Sequence, residues 1–336
     1  MSPLDPNFLL RLVEEKTAQR RQKFYVWYLA ALSLVFFMAT FYVLYIKPPP
    51  EFPVKTIITI EKRAGLNEIA QTLLERKIIR SPFWFRIGVI LSSGERGVLA
   101  GDYFFEKPAN LSSVFSRLTN GAFGLTPVKL TFPEGMTSAQ MTIVLADDLI
   151  NFDTKEFLRL TKAKEGYLFP DTYFFLPNVK PDEVLKIFQS NFDTKIKGLA
   201  EAIAAFKKPL KDVVIMASIL EAEARTTETR EIISGILWKR LALGMPLQVD
   251  APFQYIIGKN TFQLTLNDLK FDSPYNTYLY RGLPPGAIGN PGLDSLTAAV
   301  TPVKTAYFYY LSDVRGNMHY AKTFEEHVAN KELYLR

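Results

Sequence analysis

An uncharged apolar segment near the N-terminus limits what this chain can fold into. Residues 24–46 are 23 consecutive positions without a charged side chain, long enough to cross the hydrocarbon core of a bilayer with some tilt. Aromatic side chains typical of membrane interfaces occur at both ends of it: Tyr25, Trp27, Tyr28, Tyr42 and Tyr45. A cleaved signal peptide has a shorter apolar core and a small-residue cleavage site, and neither is evident. The sequence therefore predicts one retained transmembrane helix.

The residues that flank this segment predict its orientation. Residues 1–23 carry basic side chains close to the span: Arg11, Lys16, Arg20, Arg21 and Lys23. The positive-inside rule then places the N-terminus in the cytoplasm and everything after Lys47 outside it. Residues 47–53 include the run Pro48–Pro50, which predicts a stiff spacer that lifts the rest of the chain off the membrane.

Composition excludes several classes of function. The formal net charge of +6 is spread along 336 residues, and no run of Lys and Arg with interleaved aromatics predicts a nucleic-acid groove. The chain contains no cysteine, which excludes disulfides and thiol catalysis. We therefore expect no nucleic-acid partner.

Residues 54–106 have the pattern of a small β-α-α-β unit. VKTIITI alternates like a strand, and residues 66–79 have helical apolar spacing. The pair Ser81-Pro82 is a cap and first-turn signal for a second helix, and residues 103–105 form a closing strand. This order resembles a LysM-like glycan-binding module. A plain structural spacer is the alternative.

Residues 107–336 predict a mainly helical α+β domain. The first expected helix covers residues 111–118 and is stopped at Gly121, and the second begins after Thr137 as N-cap. Further helices are expected at 154–160, 182–206, 210–223, 228–243 and 323–333, with a strand at 128–132 and a hairpin at 306–320. Two segments rich in glycine, proline and polar residues, 247–255 and 273–292, interrupt this pattern. Their tight backbone predicts side chains free to face a ligand, namely Gln248, Asp250, Asn276 and Thr277.

Two glutamates lie at the end of the apolar helix predicted at 210–223. On a helical wheel, Glu223 falls roughly 20° from the centre of the apolar face and Glu221 roughly 140° from it. A carboxylate on an apolar face loses hydration, so its pKa is expected to rise, as a general acid at neutral pH requires. The alternative is a helix end at which both acids are solvated.

The motif EGYLFPDTYFF, residues 165–175, combines two acids with a dense group of aromatics. Its aromatic rings either offer flat faces to sugar rings or belong to a core. Glu165 and Asp171 need partners or a function, because acids within an aromatic cluster are costly to bury alone.

These motifs together resemble the YceG-like endolytic murein transglycosylases. The resemblance rests on Glu221-Ala222-Glu223 after an MASI run, RLALGMPLQVD, YNTY at 275–278, GLPPGAI, NPG-DSL-AA and the EGYLFPDTY motif. It covers nearly the whole chain in family order. One departure is that the family usually continues LQ-T-D-P-T, where this chain has Val249, Ala251 and Pro252.

The resemblance implies a function and a site. Glu223 corresponds to the catalytic glutamate, which would cleave the β-1,4 bond between N-acetylmuramic acid and N-acetylglucosamine without water, metal or cofactor, and leave a 1,6-anhydro end. The remaining expected site residues would bind the sugar strand: Glu165, Asp171, Gln248, Asp250, Tyr275, Asn276, Thr277 and Tyr278. The implied partners are nascent peptidoglycan strands at the outer face of a bacterial cytoplasmic membrane, together with cell-wall synthesis proteins.

Two alternatives stay open at this point. In a two-carboxylate muramidase, Glu223 would be paired with Asp250 or Glu165 at a separation of about 5 to 9.5 Å. In a non-catalytic scaffold, the chain would tether the wall to the membrane without cleaving it.

Overall fold

The computed structural model describes residues 6–94 and 97–335, with side chains from Arg20 onward. The chain divides into two compact units, Met1–Leu125 and Thr126–Arg336. Both mix helices with short strands, and most of the regular structure is helical, as expected of the predicted α+β class.

The first unit begins with a long helix, α1 (Pro6–Phe41), which continues as one π-helical segment at Tyr42–Ile46. Its stretch from Arg20 to Ile46 is long and apolar enough to cross a membrane. The large side chains of this stretch face outward, with Trp27 76% exposed and Phe36 73% exposed. A water-soluble helix would bury such side chains, so the fold fits the predicted anchor.

A β-α-α-β unit follows, in the predicted order. Its elements are β1 (Ile57–Ile60), α2 (Leu66–Glu75), α3 (Pro82–Ser93) and β2 (Gly101–Phe104). The two strands pair antiparallel, with Ile57 opposite Phe104. Ser81 caps α3 by accepting a hydrogen bond from the backbone N–H of Trp84 at 3.4 Å. The likeness of this unit to a LysM module stays a prediction.

The helix α4 (Leu111–Asn120) completes the first unit. Leu111, Val114 and Leu118 recur at helical spacing and are buried in the same core as Phe85. Gly121, with φ +67°, ends the helix in the left-handed conformation, as the sequence indicated. The unit therefore ends at Leu125, whereas the sequence placed its boundary at residue 106.

The segment 47–53 is held to the start of α3. The ring of Trp84 lies 5.0 Å from that of Phe41, and Arg80 Nη2 donates a hydrogen bond to the carbonyl of Pro48 at 2.9 Å. These contacts hold the start of α3 against the end of the apolar helix. The role of the prolines as a stiff spacer stays a prediction.

The second unit is built around α9 (Leu210–Glu223), at the predicted position. Every residue from Val213 to Leu220 is buried, so the helix is enclosed on all sides and not on one face alone. It packs on α10 (Thr227–Ala242) and α12 (Leu293–Val300). Enclosure on all sides is the physical reason for the run VVIMASIL, in which Ser218 is the one polar residue.

A second core in this unit contains Tyr173 and Phe175 of the EGYLFPDTYFF motif, whereas Tyr167 and Phe169 pack in the core around α9. The strand β3 (Val128–Thr131) pairs antiparallel with β4 (Thr172–Phe175), and the pair packs with three helices, α5 (Ser138–Asp148), α6 (Thr154–Thr161) and α7 (Pro181–Gly198). The next helix, α8 (Ala200–Phe206), packs against the core around α9. Tyr173 and Phe175 surround the buried Phe188, with the Tyr173 ring 4.8 Å from it. These rings belong to the core, whereas Phe174 is 67% exposed.

The C-terminal part contains a helix in or directly after each of the two polar segments, and a closing hairpin. α11 (Ala251–Ile257) begins within the segment predicted as loop, and α12 follows the loop that ends at Gly292. The hairpin of β5 (Tyr309–Ser312) and β6 (Met318–Ala321) and the helix α13 (Phe324–Tyr334) confirm the predicted end of the chain.

Asn290 joins three segments of the second unit from a fully buried position. Its Oδ1 accepts hydrogen bonds from the backbone N–H groups of Gly166 and Leu168 at 2.8 and 2.9 Å. Its Nδ2 donates to the carbonyl of Met136 and to Glu165 Oε1, at 2.9 and 2.8 Å. The side-chain amide therefore uses both its donor and its acceptor inside the protein.

We expect Asn290→Ala to destabilise the second unit by at least about 3 kcal/mol, because it leaves the two buried backbone N–H groups of Gly166 and Leu168 without partners and removes one hydrogen bond from Glu165. Denaturant unfolding should show a lower midpoint. Asn267→Ala is a matched control, since Asn267 is exposed and its side chain caps no helix. An unchanged midpoint for Asn290→Ala would contradict the proposed linking role.

Candidate active site

Glu223 is the last residue of α9, where the chain leaves the core and becomes extended at Ala224. Its Oε2 accepts a hydrogen bond from the hydroxyl of Tyr310 on β5 at 3.0 Å. Its Oε1 accepts one from the backbone N–H of Ala251, at the start of α11, at 3.3 Å. The carboxylate thus lies where three elements meet, and the residue as a whole is half-buried.

Burial raises the pKa of Glu223 from 4.5 to about 7. The negative charge of Asp250 also raises this pKa, whereas the hydrogen bonds from Tyr310 and Ala251 lower it. The raised pKa is the one expected from the helical wheel. Near neutral pH the group exists in comparable amounts as acid and as carboxylate, which suits a residue that first donates and then accepts a proton.

Asp250 and Tyr278 lie close enough to Glu223 for their electrostatic interaction to shift pKa values. The hydroxyl of Tyr278 donates a hydrogen bond to Asp250 Oδ1 at 2.6 Å. Burial, together with the charges of Asp250 and Glu223, raises the pKa of Tyr278 far above its ordinary value. Tyr278 therefore remains a neutral hydroxyl and a fixed donor in this group.

Gln248 is exposed and held in an uncommon backbone conformation, with φ +52°. Its backbone N–H donates to the carbonyl of Thr277 at 3.1 Å, and its Oε1 accepts from Arg240 Nη2 at 2.6 Å. Arg240 is buried and also donates to the carbonyl of Pro246 at 3.0 Å. Non-glycine residues with positive φ are often held so at functional sites, and here Arg240 supplies the constraint.

Asn276 and Thr277 do not face a ligand, which corrects their predicted role. Asn276 is fully buried and donates from Nδ2 to the carbonyls of Leu269 and Phe271 at 2.9 and 2.8 Å. Thr277 is 2% exposed, and its hydroxyl exchanges two hydrogen bonds of 3.0 Å with the backbone of Val249. Both side chains hold the loop in shape so that Tyr278 can reach Asp250.

Glu221 points to the other side of α9 and is buried in an ion pair, with its side chain 7% exposed. Its Oε1 lies 2.7 Å from Arg230 Nη2, and its Oε2 accepts from the backbone N–H of Gly292 at 2.8 Å. Arg230 also pairs with Asp294 at 2.5 Å. The interpretation that both glutamates are solvated is therefore wrong. Glu221 fixes the end of α9 to the starts of α10 and α12.

Glu134, which sequence reasoning passed over, lies against this ion-paired group. A Cβ on Gly292 would lie only 1.9 Å from Glu134 Oε1, so a larger residue there would displace the Glu134 carboxylate. Burial, and next the charge of Glu221, raises the pKa of Glu134.

Glu165 is occupied by structural contacts. Its carboxylate accepts from the backbone N–H and the hydroxyl of Ser138, at 3.0 and 2.8 Å, and from Asn290. Ser138 is the first residue of α5, so Glu165 satisfies a free N–H at this helix start. Burial raises the pKa of Glu165, and these hydrogen bonds oppose the rise. Burial, and next the charge of Glu165, raises the pKa of Tyr275, whose ring packs 5.2 Å from that of Tyr255 on α11.

Asp171 is exposed, and its contacts lie elsewhere in the second unit. It accepts from the backbone N–H of Thr172 at 2.8 Å and from Asn191 Nδ2 at 3.1 Å, and lies 3.8 Å from Lys195. None of these residues contacts Glu223 in the described part of the chain. A role for Asp171 in binding substrate stays a prediction.

Tyr310 and Arg240 are the two site residues that sequence reasoning missed. Tyr310 lies in the run YFYYLS, where nothing in the letters distinguishes it from Tyr309. Arg240 lies in the RLALGMPLQVD segment, and a basic residue near a helix C-terminus is more often solvated there.

The departures from the usual LQ-T-D-P-T pattern leave the polar groups beside Glu223 in place. Val249 and Pro252 are buried, so their side chains fill the interior. Ala251 contributes its backbone N–H, which any residue except proline carries.

The raised pKa of Glu223 implies a pH-dependent cost to folding. The folded state holds the proton up to about pH 7, whereas the unfolded chain releases it near 4.5, so stability is lost as pH rises between these values. Glu223→Gln should therefore raise the free energy of unfolding at pH 8, by up to roughly 3 kcal/mol, and change it little at pH 4. Melting temperatures at the two pH values measure this difference. The exposed Glu201, replaced by Gln, is the control. Equal effects of Glu223→Gln at both pH values would contradict the raised pKa.

Comparison with known proteins identifies the family. The model of the YceG-like family matches residues 58–333. An endolytic murein transglycosylase of Bacillus subtilis strain 168 is 30% identical over 316 residues, which cover 85% of this chain and 87% of that protein. One from Streptococcus pneumoniae strain D39 is 31% identical over 172 residues, 49% of this chain and 31% of that protein. A crystal structure of a YceG-like protein from Listeria monocytogenes, 28% identical, matches with a TM-score of 0.56 over 82% of this chain and 98% of its own. The chain belongs to the YceG-like family.

Proposed function

We propose that this protein is a membrane-anchored endolytic lytic transglycosylase of peptidoglycan, acting on nascent glycan strands. The observation that carries the proposal is the environment of Glu223: a half-buried residue whose carboxylate has a pKa of about 7, two hydrogen-bond donors and no cation among its described partners. The relatives named endolytic murein transglycosylases support the substrate.

The first step is proton donation to the leaving oxygen. Neutral Glu223 protonates the oxygen that links N-acetylmuramic acid to N-acetylglucosamine, and positive charge develops at C1 of the muramyl ring. The nearby negative charge of Asp250 stabilises that oxocarbenium-like state. Tyr278 holds Asp250 in place through its 2.6 Å hydrogen bond.

The second step closes the ring of the product. Glu223, now a carboxylate, accepts the proton of the muramyl 6-hydroxyl as that oxygen attacks C1. The C1–O6 bond forms while the proton returns to Glu223, so the enzyme regains its starting state. Because the nucleophile is part of the substrate, orientation of the sugar replaces the second carboxylate that a hydrolase uses.

Sugar binding is assigned to the side chains that stay accessible around Glu223. Gln248 and Tyr275 lie two residues before Asp250 and three before Tyr278 in the chain. Arg240 holds Gln248, and the ring of Tyr275 packs against that of Tyr255. Glu165 contributes indirectly, because it fixes the start of α5. An amide and an aromatic ring are suitable groups for sugar hydroxyls and sugar faces.

Location follows from the apolar helix. With the basic residues of positions 1–23 in the cytoplasm, the second unit lies outside the cytoplasmic membrane, where the wall is assembled. Cell-wall synthesis proteins are the expected partners in that place.

A two-carboxylate muramidase is the second candidate function. It is favoured by one observation, the negative charge of Asp250 near Glu223. In that mechanism Asp250 would activate a water molecule or attack C1.

The products of purified peptidoglycan strands distinguish the two reactions. We expect muramyl ends lighter by one water molecule than hydrolysed ends, and early cleavage within long strands, both detected by mass spectrometry. If ordinary reducing ends are the main product, the protein is a muramidase and not a transglycosylase. If the folded protein cleaves no strands at all, it is a non-catalytic scaffold.

The two glutamates should differ in what their replacement changes. Glu223→Gln keeps the shape and cannot move a proton, so the rate should fall by a factor on the order of 10² or more. Glu221→Gln should lower stability by about 2 kcal/mol through the ion pair with Arg230, and reduce the rate less. The measurement is initial rate and unfolding midpoint of both variants under one condition. The opposite order of rates would refute the assignment of Glu223.

Tyr310→Phe should move the pH profile in a defined direction. The hydroxyl stabilises the carboxylate form of Glu223, so its loss raises the pKa of Glu223 further. The rate of an enzyme that starts with a protonated acid falls above that pKa, so the alkaline limb should shift to higher pH. Tyr309→Phe on the same strand is the control, and an unshifted limb for Tyr310→Phe would contradict the role.

A further inference from the structure

The helix α3 leaves one apolar side uncovered. Phe85 and Val89 face the core of the first unit, whereas Phe83, Ile87, Ile90 and Leu91, here called the α3 strip, face away from it. At 100° per residue these four positions fall within an arc of roughly 100°. Phe83 is 52% exposed and Leu91 82% exposed, and no member of the strip is charged. A contiguous apolar strip of this kind marks an interaction surface.

The start of α3 is fixed to the end of the apolar helix. The ring of Trp84 lies 5.0 Å from Phe41 and 6.3 Å from Tyr45. Arg80 donates from Nε to the carbonyl of Lys47 and from Nη2 to that of Pro48, both at 2.9 Å. Phe41 precedes Ile46 by five residues, so Trp84 contacts the apolar helix roughly 7 Å inside its end.

We propose that the α3 strip lies in the interfacial layer of the bilayer leaflet from which the chain emerges, so that lipid is its occupant. This inference rests on the membrane anchorage proposed above. A residue that touches Phe41 is at the level of the lipid, and the strip continues from Trp84 along the same helix. Aromatic and aliphatic side chains on one helix face are the groups that enter this layer, to a depth of about 5–10 Å.

The consequence is a second point of membrane attachment for the first unit. A helix anchor alone leaves a domain free to tilt on the membrane, whereas an embedded strip fixes its orientation. Lipid contact also removes the exposed strip from water, which favours this orientation over others.

Fluorescent labels on single cysteines test the proposal, because the 336-residue chain has no cysteine of its own. The protein is placed in vesicles of phosphatidylcholine and phosphatidylglycerol that carry a nitroxide high on the acyl chain. We expect a label at Leu91→Cys to be quenched by the nitroxide and shielded from aqueous iodide. Ser92→Cys, exposed on the same helix and off the strip, should show the reverse. Leu91 is so exposed that its replacement should leave the fold intact.

A label at Phe36→Cys, within the apolar helix, separates the two proposals. If Phe36 is quenched by the nitroxide while iodide reaches Leu91 and Ser92 equally, the anchor stands and the α3 strip does not contact lipid. If Leu91 is shielded from iodide without nitroxide quenching, a protein covers the strip, which also overturns the inference. If Phe36 itself is not quenched, the anchorage fails, and the inference fails with it.

Discussion

The buried ion pair between Glu221 and Arg230 is the interaction on which the geometry of the candidate site depends. It joins the last turn of α9 to the first turn of α10, and Gly292 adds the start of α12 through its N–H. Residues two apart on a helix point in directions about 160° apart, so fixing Glu221 also fixes the direction of Glu223. A carboxylate at a frayed helix end would sample many positions. The contacts of Glu221 on the opposite side of α9 prevent such fraying here.

Different faces of one helix explain why two similar residues have different environments. Glu221 meets a guanidinium and a backbone N–H, so its charge is satisfied. Glu223 meets two uncharged donors and the anionic Asp250 in a buried place, so its charged form is destabilised and its pKa rises. The neighbours of each glutamate make the difference: Arg230, itself paired with Asp294, bonds Glu221, whereas Glu223 meets the hydroxyl of Tyr310 and the charge of Asp250.

The sequence predicted most of the elements, because their signals are local. The α9 run, the Ser81 and Thr137 caps and the Gly121 stop all appear where the letters placed them. The site was predicted less completely. Asn276 and Thr277 looked free because a polar loop residue is usually solvated. Asn276 instead bonds carbonyls five and seven residues earlier in its own loop, and Thr277 bonds Val249, which only the fold brings near. Tyr310 was missed for the same reason, since 87 residues separate it from Glu223. The boundary at Leu125 depends on where α4 packs, which its own amphipathic pattern does not reveal.

A single acid that acts twice needs support in both protonation states, and the structure supplies it. Burial and the charge of Asp250 favour the neutral form, which the first proton transfer requires. The hydroxyl of Tyr310 and the N–H of Ala251 are already placed for the carboxylate, which the second transfer requires. With burial alone, the pKa of Glu223 would be higher, so the residue would donate its proton poorly. With the two donors alone, it would be ionised before substrate arrived. A pKa of about 7 is the balance between these opposing effects, and it makes both transfers accessible at the same pH.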